Sequence, residues 1–159
     1  MVFPGFLVKP ITRGNYADVW EVYESNPKYF GQTKGRAVQK ADILDTFERL
    51  VPKYDAGKQF FAGLWCECDG RAAAVLELLP DFPNHGQMWL SEIIIRGDLH
   101  GTGLGSKIVQ TVIEYAKQKG FGEIQLGIEA DSVAFWQKQG FEQMPQDDDY
   151  LLFFMKLGD

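Results

Sequence analysis

Apolar residues along this chain switch between two periods, and the switches mark its elements. Phe6-Leu7-Val8-Lys9 reads as a first strand closed by Pro10. Tyr16, Val19, Trp20 and Tyr23 then fall at helical spacing from about Asn15, and Asn26-Pro27 is expected to end that helix. Residues 31–35 read as loop. A second helix is expected over residues 38–51, with Ile43, Leu44, Phe47, Leu50 and Val51 on one side and Pro52 as its stop. Residues 59–68 and 71–79 read as strands joined by Asp69-Gly70, a two-residue hairpin signal. A turn-rich loop over residues 80–86 leads into a strand over residues 88–96. The next helix carries Leu104, Ile108, Val109, Val112, Ile113 and Ala116 on one face. Lys117 and Lys119 lie in its last turn, and Gly120 is its C-terminal stop. Residues 123–128 form a strand with Ile124, Leu126 and Ile128 on one side. A short helix starts near Asp131, a candidate N-cap, and ends at Gly140. Residues 150–157 close the chain as a strand. The order is β-α-α-β-β-β-α-β-α-β, with no repeat, low-complexity tract or linker, which suits one α/β (α+β) domain over residues 1–159.

The junction Ile93-Ile94-Ile95-Arg96-Gly97-Asp98-Leu99-His100-Gly101-Thr102-Gly103-Leu104-Gly105-Ser106 carries the most chemistry. An apolar strand enters a glycine-dense turn that opens directly into an amphipathic helix. Such a junction aims several backbone N–H groups at one place, where the helix dipole adds its positive end. Glycines there admit positive φ and let a ligand lie against bare main chain. The chemistry this suits is pyrophosphate binding. A P-loop is excluded, because Lys107 follows Ser106 rather than a glycine and Ile108 follows the lysine. A dinucleotide fingerprint fits poorly: Gly101 and Gly103 take its first two places but Ser106 its third, and the turn follows three strands rather than opening the chain.

The third reading fits on spacing. The turn resembles the acetyl-CoA-binding motif of the GCN5-related N-acetyltransferases (GNAT), Gln/Arg-x-x-Gly-x-Gly/Ala, with His100 in the first place and Gly103 and Gly105 as the glycines. Further along, Asp131-Ser132-Val133-Ala134-Phe135-Trp136-Gln137-Lys138-Gln139-Gly140-Phe141 resembles the family's later helix, Phe/Leu-Tyr/Trp-x-Lys-x-Gly-Phe. The resemblance is close over residues 89–141 and extends elsewhere in element order. Three departures stand out: histidine at 100, Asp131 where relatives carry Asn, and Trp136 where many carry Tyr. The family fold is a central, mixed but mostly antiparallel sheet of six to seven strands flanked by about four helices.

Composition narrows the setting. At 159 residues, with 45% hydrophobic and 24% charged positions, the chain can bury a core of its own. No apolar run reaches the roughly 18 residues of a membrane span. The start, Met1-Val2-Phe3-Pro4-Gly5, lacks a signal peptide's basic end and apolar core, so a cytoplasmic protein is expected. A net charge of −6 argues against nucleic acid and is compatible with a cationic acceptor. Cys66 and Cys68 are the only cysteines, and at i and i+2 of a strand they are expected to be packing residues, not a disulfide or a zinc site. His85 and His100 are too scattered for a metal site, so no metal is expected.

The resemblance implies an acetyl-CoA-dependent N-acetyltransferase acting on a small-molecule or peptide amine by direct attack, as a monomer or homodimer. It implies donor binding by Ile93, Ile94 and Ile95, which pair with the pantetheine arm, and by His100, Gly101, Thr102, Gly103, Leu104, Gly105 and Ser106 around the pyrophosphate. Ser132 and Trp136 are implied on the donor side as well. Glu92 occupies the place where relatives carry a base. Flanked by Leu90 and Ile94 on its own strand face, it is expected to be partly desolvated, which raises a carboxyl pKa. Glu77 on the neighbouring strand is the substitute. An indole N–H is no useful acid, so water, Ser132 or Tyr150 would return a proton to the leaving thiol. Lys107 and Lys138 are candidates for donor phosphates. Trp20, Tyr23, Tyr29, Phe30 and Tyr54 fall where the family walls its acceptor pocket, or else pack the core. The rival reading is a non-catalytic acyl-CoA-binding or regulatory domain; an acyltransferase for a longer acyl chain or an oxygen acceptor is a third.

Overall fold

The computed structural model describes residues 1–145 and 151–158, with only the backbone described at 31–34. Its centre is a seven-stranded sheet in the order β1-β2-β3-β4-β5-β7-β6. The strands are β1 (Phe6–Pro10), β2 (Phe60–Cys66), β3 (Ala72–Pro80), β4 (Gln87–Ile95), β5 (Glu123–Ile128), β6 (Glu142–Gln143) and β7 (Leu151–Lys156). All neighbours pair antiparallel except β4 and β5, which run parallel. The helices are α1 (Trp20–Glu24), α2 (Pro27–Lys34), α3 (Asp45–Glu48), α4 (Leu104–Gln118) and α5 (Val133–Lys138). The α+β class and the mostly antiparallel sheet are those expected.

Two cores lie on opposite faces of the sheet. One gathers Ile108, Val109, Val112, Ile113 and Ala116 of α4 with Trp136 of α5 and the strand residues Leu76, Leu78, Met88 and Leu126. The other gathers Val22 and Tyr23 of α1, Phe30 of α2 and Ile43 against Val75 and Ile94. The apolar stripe expected on α4 is buried throughout. That burial, at ~25 cal/mol per Å² of apolar surface, is the main force seating the helix under the glycine turn.

The helical half departs from expectation. The first helix ends before Asn26-Pro27, as expected, but Pro27 also starts α2, which runs through residues 31–34, read above as loop. Proline suits a first helical position because its missing N–H has no partner there anyway. The expected helix over 38–51 is a 3-10 turn at Lys40–Leu44 followed by the four residues of α3. Asp131 is not the N-cap: a 3-10 turn at Ala130–Ser132 precedes α5, and Ser132 takes the cap position.

Hairpin β2–β3 also differs. Strand β2 stops at Cys66 and the loop has five residues, 67–71, with Gly70 N–H donating to the Cys66 carbonyl at 2.8 Å. The turn brings Cys68 back over Cys66, Cα to Cα 5.3 Å, and the two form a disulfide. Two residues apart along a straight strand could not do this, which is why the packing expectation fails. Strand β6 was not foreseen; two exposed residues carry no alternation to read. Tyr150 lies outside the described residues, so its relay role is not addressed by the structure.

In the loop between β3 and β4, Asp81 accepts from Gly86 N–H at 2.9 Å and Lys58 Nζ at 2.9 Å, with His85 Nδ1 at 2.9 Å. The Gly86 hydrogen bond first, and Lys58 second, hold its carboxyl at about 2. A depressed folded value means that the stabilisation is present above the unfolded value of about 4 and is lost as pH falls through about 2. Asp81→Asn, which tolerates the same φ of 59°, is expected to lose that portion of the acid sensitivity. Urea midpoints collected from pH 4 down to pH 2 check this; parallel curves for the two proteins would refute it.

Candidate active site

Strands β4 and β5 are bonded only at their starts, through Gln87, Met88 and Trp89 against Glu123, Ile124 and Gln125. Beyond that they part, and the gap widens towards their C-terminal ends. A bulge accompanies the parting: Glu77 stands opposite Glu92, but Leu78 stands opposite Leu90, so Ser91 is the extra residue. The extra residue swaps the two faces of β4. Leu90 joins the α4 core, whereas Ile94 joins the α1 core. Glu92 therefore shares a face with Ile94 but not with Leu90, which corrects the expectation that both flank it.

The opened gap is a cavity of about 940 Å³. Of the residues assigned above to the donor and the base, it is lined by Glu92, Ile93, Ile95, His100, Gly101, Gly103, Leu104, Gly105, Ser106, Ser132 and Trp136. Two do not line it. Ile94 is buried on the opposite face, as strand alternation demands, and Thr102 turns its hydroxyl back to the Leu99 carbonyl at 2.6 Å. Lys138 lines the cavity, and Lys107 does not.

At one end of the cavity the chain forms an anion cradle. Gly101 and Gly103 have φ of 75° and 86°, and a Cβ on either would meet nothing within 4 Å. The first bond closing α4 runs from Lys107 N–H to the Gly103 carbonyl. The N–H groups of Leu104, Gly105 and Ser106 precede that ladder and face the cavity end without intrahelical acceptors. His100 does not reach outward: its Nε2–H donates to the Ile95 carbonyl at 2.8 Å, which pins the start of the turn to the end of β4. The residues present thus fit a diphosphate through main chain rather than through the histidine.

Residues not singled out above brace this cradle. Gly97 N–H donates to Ser25 Oγ at 2.9 Å, and Asn26 Nδ2 donates to the Ile95 carbonyl at 2.9 Å. A Cβ on Gly97 would stand 2.7 Å from the Ser25 carbonyl oxygen, so glycine is required by close approach. On the other side, Gln139 Nε2 donates to Ser106 Oγ at 2.9 Å, tying α5 to the start of α4. Arg96, buried just before the turn, donates to Asp98 at 2.6 Å and to the Ala72 carbonyl at 2.8 Å. The Asn26-Pro27 pair was the available signal for the first clamp, but it reads equally as a helix stop.

At the other end stands Glu92, only 7% exposed. Tyr23 Oη–H donates to its Oε2 at 3.5 Å, and Arg49 Nη2 lies 3.7 Å from the same oxygen. Burial, and then the Glu92 charge, push the Tyr23 phenol far above its ordinary range, so it stays a donor at any working pH. Glu77, in register with Glu92 across the strand pair, is sealed at 2% exposure. It accepts from Gln59 Nε2 at 2.9 Å and lies 3.6 Å from Arg49 Nη2. It does not line the cavity, which weighs against the substitute role given to it above. Of the aromatic group, Tyr29 lines the cavity and Tyr23 stacks on Phe30 at 5.2 Å. Trp20 packs against the α1 core, and Tyr54 lies elsewhere, donating to the Pro80 carbonyl.

Trp136 meets Phe135 and Phe141 edge-to-face at 5.0 and 5.3 Å and is 8% exposed. Ser132 Oγ donates to the Glu129 carbonyl at 2.9 Å, which occupies the proton a relay would pass on. No helix among the described residues is long and apolar enough to cross a membrane.

Residues 18–141 match the model of the acetyltransferase (GNAT) family. An uncharacterized N-acetyltransferase of Methanocaldococcus jannaschii is 25% identical over 145 residues, 87% of this chain and 61% of that protein. This chain therefore spans less than two thirds of that relative's length. An acetyltransferase from Thermus thermophilus has a similar structure, with a TM-score of 0.79 at 20% identity, covering 99% of this chain and 100% of that one. The PaiA N-acetyltransferase of Thermoplasma acidophilum, in complex with coenzyme A, has a TM-score of 0.66 at 14% identity, covering 95% and 98% of the two chains. At such identities the likeness speaks for the fold.

Proposed function

The chain belongs to the acetyltransferase (GNAT) family, and from that premise we propose that it transfers an acetyl group from acetyl-CoA to a primary amine of a small molecule or peptide, by direct attack. One observation carries this reading. A single cavity joins the bare N–H groups at the start of α4 to a buried carboxylate on β4. Acetyl-CoA supplies the activated acetyl thioester. The amides of residues 101–106 hold its diphosphate, as the positive end of a fifteen-residue helix favours. Past Trp89 the parted edge of β4 has main-chain groups that β5 leaves unpaired, apart from the Ile95 carbonyl, which Asn26 and His100 occupy, and this edge suits an extended arm carrying amides. Glu92 takes the proton from the acceptor nitrogen, and Tyr23 fixes the orientation of that carboxylate. The departing thiol takes its proton from water, since Trp136 supplies no acid.

That same Trp136 favours a second reading, a domain that binds acyl-CoA without turning it over. Thermal-shift titration with acetyl-CoA and release of free thiol with a panel of amines separate the two. Stabilisation together with amine-dependent thiol release supports the enzyme. Stabilisation with no thiol released, across amines and pH, would replace it with the binding domain.

A further inference from the structure

Arg49 is the one cation among the described residues that touches both buried carboxylates, and its own geometry is unusual for a counter-ion. Its Nη2 lies 3.6 Å from Glu77 and 3.7 Å from Glu92, ion-pair distances that are too long for hydrogen bonds. The hydrogen bonds it does make are to Thr46 Oγ1 at 3.1 Å from Nη2 and, more weakly, to the Asp45 carbonyl at 3.4 Å from Nε. Among the described residues, Nη1 donates to nothing. The side chain is 54% exposed, yet it lines the cavity beside Glu92. Glu77, behind it, is sealed from the cavity, with Oε2 lacking any hydrogen-bond partner among the described residues. A buried carboxylate that no ligand can reach is costly unless it serves a neighbouring cation. Its place explains how a guanidinium is held, still open on one side, at the acceptor end of an acidic protein.

We propose that Arg49, anchored from behind by Glu77, is the specificity residue for the acceptor and receives its carboxylate, so that the acceptor is an α-amino acid. This rests on the acetyl-transfer reading above and adds the class of the amine. The spacing agrees. In an α-amino acid, the nitrogen and the carboxylate carbon are ~2.5 Å apart. One molecule can therefore place its amine on Glu92 and its carboxylate on the open side of Arg49, groups that are themselves 3.7 Å apart. A planar fork of N–H donors matches a carboxylate better than an ammonium would, which accounts for arginine here. Lys28, another cation lining the cavity, adds to the field favouring an anionic group.

The test compares each proteinogenic L-amino acid with its decarboxylated amine. Calorimetry on the coenzyme A-loaded protein gives binding, and free-thiol release with acetyl-CoA gives turnover. The expected result is at least one amino acid favoured over its amine by about ten- to a hundred-fold. Arg49→Gln should erase that preference. Arg49→Lys, which keeps a charge against Glu77 and so guards against misfolding, should reduce it, with coenzyme A affinity unchanged in both. If every amine binds as well as its amino acid, or the preference survives both substitutions, the proposal is overturned. Arg49-dependent binding without thiol release would uphold the carboxylate site and remove the acetyl-transfer reading instead.

Discussion

Gly103→Val is expected to lose at least a hundred-fold in affinity for coenzyme A while remaining folded. The backbone at 103 has φ of 86°, where an L-residue costs about 1–2 kcal/mol and a β-branched one more. That cost falls on stability and would by itself leave an intact cleft. The affinity loss has another source. A Cβ at 103 meets no protein atom within 4 Å, so the added side chain would fill the space proposed for the diphosphate against the amides. A control separates the two effects. Gly120, past the far end of α4, has φ of 81° and equally open surroundings, but it does not line the cavity. Gly120→Val should therefore match the loss in melting temperature and bind coenzyme A normally in calorimetry. Equal affinities for the two variants would place the diphosphate away from the turn.

What could be read from the chain beforehand follows from how local each signal is. The stripe on α4 arises from burial repeated over a whole element, and the structure repeats it residue by residue. On β5 Ile124, Leu126 and Ile128 are buried as the pattern predicts, with Gln125 buried as well. On β4 the buried positions alternate in sequence, although a bulge divides them between two faces. The glycine turn was legible because its requirement is steric and local. The helical half was not, since 3-10 turns and helices of four or five residues span too few positions to establish a period. Pro27 is ambiguous on its own: the same ring stops one helix or begins another. The bulge at Ser91 left no mark, because Leu90, Glu92 and Ile94 alternate correctly whether or not an extra residue intervenes. Its structural effect is large, as it turns Glu92 away from the α4 core and towards Tyr23 and Arg49. Arg49 itself was hidden on what read as the polar face of an ordinary helix. Only the pairing of β3 with β4 brings Glu77 opposite Glu92 and gives that arginine a reason to be there.

Glu92→Gln tests the other end of the cavity, with an expected fall in kcat/KM of about 10²- to 10⁴-fold, the range for removing a positioned base. The substitution keeps shape and hydrogen bonding: the amide oxygen still accepts from Tyr23, and Arg49 remains anchored by Glu77. What it removes is the ability to take a proton. The sign of the pH effect follows. With Glu92 as the proposed base, native activity is expected to decline as pH drops, because a base must be unprotonated to work; an amide does not titrate there, so the variant's residual rate should lack that limb. Affinity for acetyl-CoA should be unchanged, since Glu92 lies away from the amides of residues 101–106. Glu77→Gln supplies the contrast, because Glu77 is sealed behind Arg49 and meets no ligand, so its effect should fall on KM for the acceptor rather than on the acid limb. An acid limb that persists in Glu92→Gln, or one that vanishes in Glu77→Gln instead, would move the base to a different group.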